Sequence, residues 1–184
     1  MATLFEELTD DLCDFINAQH MFFVATAPSS NDGFVNCSPK GLDTLRILDR
    51  KTIAYLDLTG SGVETIAHLK ENGRLVMMFC SFGNKPKILR LHGKGTVLET
   101  HDPGFAELIS EFPEMRGTRA IIKLDVARIA DSCGWGVPKF DFVSDRDTYG
   151  KYADAMSDED LRESQKAQNS FSLDDLPALS RPSL

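Results

Sequence analysis

The sequence predicts a mainly β fold with flanking helices, in which an antiparallel sheet closes or nearly closes into a barrel. The predicted elements follow the order helix, three or four strands, helix, two strands, helix, strand and tail. Most strands are joined by turns that are too short for the crossover that a parallel pair needs. The glycine-rich motifs GxGxxG and GxxxxGKS/T are absent, which argues against the α/β nucleotide-binding folds.

The N-terminal third contains one helix and four strand-like runs. Apolar residues recur on one helical face over residues 4–18, which predicts an amphipathic helix. Residues 21–27 and 34–38 are short runs on either side of an Asn-Asp-Gly turn, so they predict a hairpin. Residues 44–48 are a further extended candidate, and the run TIAYLDL at 52–58 predicts a strand.

The centre of the chain alternates between a helix and two apolar strands. Helical spacing over 63–69 is followed by an almost wholly apolar run, RLVMMFCSF at 74–82, which predicts a strand buried on both faces. Residues 87–99 predict a long strand that includes Gly93 and Gly95. Two glycines inside a strand indicate a bend, a bulge or a close approach of another backbone.

The C-terminal part changes in character. Residues 102–112 predict a helix with Pro at its first position, and residues 118–131 predict a long strand. Residues 157–168 have helical character. Residues 169–184 carry many Ser, Asp and Pro residues and little core, so they predict a tail that is either docked or disordered.

Charge and composition exclude several classes of function. The 184 residues include 20 Lys and Arg against 28 Asp and Glu, a net charge of −8 that disfavours nucleic acid and anionic membranes as partners. No window approaches 18 uninterrupted apolar residues, and residues 1–11 lack a secretion-signal pattern, so we expect no membrane span. An anionic ligand would therefore require a local positive site.

The cysteines and histidines do not form a metal or disulfide pattern. Cys13, Cys37, Cys80 and Cys133 are too widely separated for a CxxC pair, and the four histidines lack ligand spacing. We therefore expect no metal site, and reduced, mostly buried thiols in a cytoplasmic protein.

The junction between the strand at 52–58 and the following helix has the composition of a phosphate cradle. A helix start offers unpaired N–H groups and a partial positive charge. Gly60 and Gly62 would let a ligand approach the backbone, and Ser61 adds a hydroxyl group. An ordinary helix cap made by Ser61 or Thr59 explains the same residues equally well.

Two basic residues also occupy notable positions. Lys40 ends a predicted strand, since Pro39 enforces an extended approach and Gly41 permits a sharp exit, so its charge could meet an anion there. An ordinary solvated lysine is the alternative. Arg90 interrupts the apolar run KILRLHG and needs a partner or a ligand, unless it faces outward.

Five segments resemble those of the pyridoxamine 5′-phosphate oxidase-related, FMN-binding split-barrel proteins, and they occur in the order typical of that family. The segments are FVNCSPKGLDTLR, YLDLTGSGVETIAHLKENGR, MMFCSF, KILRLHGKGTV and CGWGVP. The resemblance implies a split-barrel flavin-binding domain at 21–142, with residues 1–20 as a helix of the same domain and 143–184 as a C-terminal helix and tail. It also implies a homodimer that holds FMN at the subunit interface.

Eight residues match positions at which this family contacts its cofactor: Asn36, Ser38, Lys40, Ser61, Gly62, Thr65, Arg90 and Trp135. By the resemblance, Lys40 lies on the phosphate side, Ser61 and Gly62 form the phosphate loop, and Thr65 follows one helical turn later.

The remaining matches belong to the ring of the flavin. The resemblance implies that Asn36 and Ser38 lie on the strand beside the ring, and that Arg90 lies on the strand that passes it. Trp135 stands where late aromatic residues approach the flavin from the neighbouring subunit.

The sequence departs from the family at positions that concern both the flavin and the substrate. Val35 replaces an arginine, the phosphate loop lacks its basic pair, and Ile88 and Leu89 stand where a glutamine is usual. The C-terminal Arg-Leu-x-Pro substrate motif is absent. We therefore predict an FMN-dependent oxidoreductase that takes an unidentified small-molecule substrate or reductant other than pyridoxamine phosphate. Its catalytic residues are unassigned. The alternatives are a non-catalytic flavin- or haem-binding protein and a deazaflavin enzyme on the same barrel.

Overall fold

A computed structural model describes residues 3–180, in which eight strands form one sheet flanked by five helices. The strands are β1 (Leu4–Phe5), β2 (Phe22–Thr26), β3 (Asn36–Lys40), β4 (Leu45–Asp49), β5 (Thr52–Leu58), β6 (Arg74–Cys80), β7 (Ile88–Glu99) and β8 (Thr118–Ser132). The helices are α1 (Asp10–Asn17), α2 (Glu64–Glu71), α3 (Pro103–Leu108), α4 (Thr148–Ala155) and α5 (Asp158–Gln168), and a 3₁₀ turn (Ile109–Glu111) follows α3. None of the helices within residues 3–180 has the length and apolar composition that crossing a membrane requires.

The strand order and a short link between the two edge strands together require the sheet to curl into a split barrel. Antiparallel pairing gives the order β3-β2-β6-β7-β8-β5-β4, and β1 pairs with β8 beside this path. The two edge strands, β3 and β4, are joined by residues 41–44 alone, a link that spans at most about 18 Å. The sheet must therefore curl until its edges approach each other. The predicted mainly β, antiparallel split-barrel fold is confirmed.

The main hydrophobic core fills the concave side of this sheet. Side chains from β2, β5, β6, β7 and β8 pack there against the apolar faces of α1 and α2, which removes them from water. Its fully buried members include Leu12, Ile16, Val24, Tyr55, Ile66, Met77, Phe79 and Leu91.

The strand that is buried on both faces is β5 and not β6. Outward-facing Ala54 and Leu56 of β5 pack in a second cluster with residues of α3 and the 3₁₀ turn. On β6, Met77 is buried but Val76 and Met78 remain partly exposed on the outer face. The prediction that 74–82 is buried on both faces is therefore wrong, because α3 covers the outer face of β5 and leaves that of β6 accessible.

The N-terminal helix starts later than its apolar periodicity predicts. Leu4 and Phe5 form β1 and pair with β8, so the helical prediction for residues 4–9 is wrong. Helix α1 begins after Thr9, whose Oγ1 accepts a hydrogen bond from the N–H of Leu12 at 3.3 Å. Thr is a favoured N-cap residue, so the sequence already indicated a helix start at Thr9. The prediction missed it because the preceding apolar residues also have helical spacing.

Strand β7 bends at one of its two glycines. The register between β7 and β8 shifts between His92 and Gly93, which marks a β-bulge. A Cβ atom at Gly93 would stand 2.0 Å from the carbonyl oxygen of Asp125. The predicted bulge and close backbone approach are both confirmed.

The segment after α5 is docked as far as it is described. Ala178 and Leu179 are buried in the main hydrophobic core, and the N–H of Ser180 donates to Oε2 of Glu99 on β7 at 2.8 Å. Residues 169–180 therefore pack on the domain, and the rest of the predicted tail, 181–184, lies outside the described residues.

The free thiols are less buried than predicted. Cys80 is buried and Cys13 half-buried, but Cys37 and Cys133 are exposed. The expectation of mostly buried thiols is therefore wrong for two of the four cysteines, because Cys37 faces outward on edge strand β3 and Cys133 follows the end of β8.

Candidate functional site

A small polar cavity lies where the end of β3 meets the end of β5, the start of α2 and the start of β8. Its volume is about 160 Å³, which is roughly the space of five water molecules. It therefore fits a small polar group and is too small for a whole cofactor. It is lined by Asn36, Ser38, Lys40, Asp57, Leu58, Gly60, Gly62, Val63, Glu64, Thr65 and Arg119.

A buried carboxylate organises the charges of this cavity. Asp57 on β5 is 1% exposed, and its two oxygens lie 2.7 Å from Nε of Arg119 and 3.1 Å from Nζ of Lys40. Burial by itself raises the pKa of Asp57, but the charges of Arg119 and Lys40 outweigh it and hold that pKa below its ordinary value. Asp57 is therefore ionised at neutral pH, and the three groups together carry one net positive charge.

The guanidinium of Arg119 also holds the turn that precedes α2. Its Nη2 donates to the carbonyl of Gly62 at 2.7 Å, and its Nη1 donates to the carbonyl of Gly60 at 3.4 Å. Arg119 is only 3% exposed, so these bonds are shielded from water. One buried cation thus fixes both Asp57 and the turn.

The start of α2 has no side-chain cap. The N-cap residue is Val63, and the hydroxyl of Thr59 donates instead to the carbonyl of Gly117 at 2.7 Å. Ser61 is exposed on the turn. The alternative that Ser61 or Thr59 merely caps the helix is therefore wrong, and the helix start keeps the partial positive charge that favours anions.

Three hydroxyl and amide side chains complete the wall of the cavity. Asn36 and Ser38 share the inner face of β3 with Lys40, since alternate residues of a strand face the same side. The Nδ2 of Asn36 donates to Oγ1 of Thr65 at 3.0 Å, and the hydroxyl of Ser38 donates to Oδ1 of Asn36 at 2.9 Å. Thr65 accepts this bond and so retains its own O–H as a donor.

Five of the eight predicted site residues therefore line one cavity, and three do not. Ser61 lies on the adjoining turn, outside the lining. Arg90 alternates with buried Leu89 and Leu91, so it lies on the outer face of the sheet, where its Nη1 donates to Oγ of Ser132 at 3.1 Å. Trp135 follows β8 and is 83% exposed.

Sequence reasoning missed three charged residues of the cavity. Asp57 and Arg119 each interrupt an apolar strand, the same signal that drew attention to Arg90. Glu64 lies in the first turn of α2, where its Oε2 lies 2.9 Å from the position of a Cβ on Gly62. Its carboxylate brings the formal charge of the cavity lining to zero, so it competes with any incoming anion.

Comparison with known proteins shows the family of this chain. The sequence pattern of the pyridoxamine 5′-phosphate oxidase family matches residues 8–133. A protein of Aspergillus flavus, the pyridoxamine 5′-phosphate oxidase family protein ustO, is 40% identical over 196 residues, which cover 97% of this chain and 78% of the relative.

Solved structures share the fold at low sequence identity. A variant of HupZ from Group A Streptococcus superposes with a TM-score of 0.55 at 23% identity, over 68% of this chain and 99% of that chain. A protein from Mesorhizobium loti described as FAD-binding gives a TM-score of 0.50 at 11% identity, over 71% of this chain and 96% of its own.

The buried carboxylate yields a prediction about stability. Substitution Asp57→Asn leaves Arg119 buried without its counter-charge, so we expect the free energy of unfolding to fall by about 3–5 kcal/mol in urea denaturation at neutral pH. In the wild type this stabilisation is complete above the ordinary aspartate pKa of 3.8, and it is lost as the pH falls through the lower pKa of the folded state. The Asp57→Asn variant should lack this pH-dependent loss of stability.

The matched control is Asp43→Asn. Asp43 also pairs with an arginine, Arg46 at 2.6 Å, but its side chain is 67% exposed. Surface pairs contribute little, so stability should hardly change. Equal effects of the two substitutions would contradict the structural role of Asp57.

Proposed function

Because the chain belongs to the pyridoxamine 5′-phosphate oxidase family, we propose that it is a flavoprotein that binds the phosphate of FMN in the cavity between β3 and α2. The observation that carries this proposal is the convergence of Lys40 and Arg119 on an uncapped helix start. Bound FMN supplies hydride or electron transfer, while the protein binds and orients it.

The chemistry of the cavity fits a phosphate group. The ammonium of Lys40 is 23% exposed and so remains accessible, and the hydroxyls of Ser38 and Thr65 add donors. The N–H groups at the start of α2 favour an anion as well. The flavin ring exceeds the cavity and would lie outside it. A protein of the same fold from Mesorhizobium loti is described as FAD-binding, which supports a flavin.

We propose further that the flavin serves an oxidoreductase reaction. The substrate is not assigned, and the sequence lacks the Arg-Leu-x-Pro motif that the family uses for pyridoxamine phosphate. Asp57 is held ionised in an ion pair, so it serves structure and not proton transfer. The residues that line the cavity therefore bind and orient the cofactor.

The outer face of the sheet supports a homodimer. Val76 and Met78 are partly exposed there, and Val76 lines an apolar groove of about 430 Å³ together with Ala25 and Val35. Val35 is 75% exposed. We propose that a second copy covers this face. Arg90 and Trp135, which lie away from the cavity of their own chain, would then be available to the cofactor of the partner.

The first expectation concerns the protein as purified. We expect a yellow protein that releases FMN on denaturation, identified by mass spectrometry, and that is reduced by NAD(P)H in stopped-flow absorbance measurements. A flavin that NAD(P)H does not reduce would support a carrier instead of an enzyme. Release of haem or a deazaflavin would replace FMN as the ligand, and a colourless protein that takes up no FMN would refute the proposal.

Two substitutions in the cavity should change FMN affinity in opposite directions. Lys40→Met removes a charge-assisted bond to the phosphate and should weaken FMN binding about 10- to 100-fold. Glu64→Gln removes the competing carboxylate at the helix start and should strengthen binding about 2- to 5-fold. Quenching of flavin fluorescence measures both.

Riboflavin, which lacks the phosphate, is the control ligand, and its affinity should stay unchanged in both variants. Lys85→Met is the control variant, since Lys85 is exposed and lies outside the cavity lining. An FMN affinity of Lys40→Met equal to that of the wild type would show that the phosphate site is elsewhere. Ser61 stays a predicted phosphate contact, and the same titration of Ser61→Ala tests it.

The homodimer is tested by light scattering. We expect the wild type to have twice the mass of one chain, and Val76→Glu to be monomeric, because a carboxylate would be buried without a partner in the interface. Leu173→Glu, which changes a 74% exposed leucine in the C-terminal segment, should remain dimeric. A monomeric wild type that retains FMN would contradict the interface.

A further inference from the structure

The C-terminal part of the chain contacts the turn that borders the cavity. We call residues 157–180, which comprise α5 and the docked segment after it, the C-terminal strap. The Nε2 of Gln165 donates to Oγ1 of Thr59, and Nδ2 of Asn169 donates to the carbonyl of Gly60, each at 2.8 Å. Both amide side chains belong to completely buried residues.

These two contacts add to those that Arg119 makes with the turn. The turn at 59–63 includes two glycines, and its conformational freedom must be restricted before it can present a fixed set of donors. The carbonyl of Gly60 accepts from both Arg119 and Asn169. The barrel holds the turn through Arg119 and the strap holds it through Asn169.

The burial of Asn169 shows how specific the contact is. Within residues 3–180, its Oδ1 accepts no hydrogen bond although it is buried, which opposes folding. The side chain is therefore buried for the bond that its Nδ2 donates to Gly60. A simple packing role would be served at least as well by an apolar residue.

The strap is anchored at two further points of the domain. The carboxylate of Asp174 accepts from the N–H of Phe34 at 3.1 Å, two residues before β3 begins. The Nζ of Lys70, on α2, contacts the carbonyl of Ala178. The strap thus contacts the turn, the segment that leads into β3, and helix α2, and the turn, β3 and α2 each contribute residues to the cavity lining.

We propose that the C-terminal strap sets the phosphate-binding conformation of the turn at 59–63, with Gln165 and Asn169 as its positioning residues. This inference rests on the proposed FMN site. The strap lies beyond residues 8–133, the part of the chain that matches the family pattern. Because coupling between two equilibria is reciprocal, phosphate binding must favour docking of the strap by the factor with which docking favours phosphate binding.

Two amide variants test the positioning role. Gln165→Leu and Asn169→Leu preserve approximate size and remove the donor, so each should weaken FMN binding about 3- to 10-fold, as expected for a lost neutral hydrogen bond. Riboflavin affinity should change less than twofold. Gln168→Leu, on the exposed side of α5, is the matched control and should bind both ligands like the wild type.

The outcomes separate this inference from the proposed function. Variants that bind FMN like the wild type overturn the inference and leave the FMN site intact. Variants that lose FMN and riboflavin equally also overturn it, since the strap then serves only stability. A wild type that binds no FMN overturns the site itself and the inference with it.

Hydrogen exchange tests the coupling without any substitution. Saturating FMN should slow amide exchange in residues 157–180, and riboflavin at equal occupancy should not, because only the phosphate contacts the turn. Helix α1, which lies outside the cavity lining, should exchange alike in both complexes. If FMN leaves amide exchange in the strap unchanged, the proposed coupling is contradicted.

Discussion

The ion pair between Asp57 and its two basic partners joins strands that the hydrogen-bonded order of the sheet keeps apart. Lys40 ends β3 at one edge, whereas Asp57 lies on β5 next to the other edge. Contact between them is possible only because the sheet curls back on itself. Since Asp57 and Arg119 are both buried, neither charge can lose its partner without a large penalty. The interaction that joins the seam of the barrel is therefore also the one that shapes the cavity.

The same charges explain how one site can serve both the fold and a ligand. Two cations face one buried carboxylate, so one positive charge remains, and Glu64 balances it at the helix start. Glu64 is held by no described side-chain bond to these cations, whereas Asp57 is held by both. An anion that binds in the cavity would therefore compete with Glu64 and leave the ion pair between Asp57 and Arg119 unchanged. Lys40 pairs with Asp57 and is also a proposed phosphate contact, so its role in binding must be measured against a ligand without phosphate.

Local sequence patterns predicted the elements of this fold whose conformation depends mainly on neighbouring residues. Both ends of β5 follow from the sequence, because TIAYLDL is apolar and flanked by turn residues. Leu4 and Phe5 instead pair with a strand more than 120 residues later, which no local periodicity can show. In the cavity, resemblance located Lys40 and Thr65. Asp57 and Arg119, 62 residues apart, were missed because each looks like one charge in an ordinary strand until the fold brings them together.

The turn at 59–63 shows how such a site gains precision from distant parts of the chain. Glycines allow the backbone to come close to an anion, and the same freedom would let it adopt many other conformations. Arg119 restricts it from within the barrel, and Asn169 restricts it from a segment 109 residues further along the chain. Their effect is to select one conformation in advance, so that binding need not pay the entropy of ordering the turn.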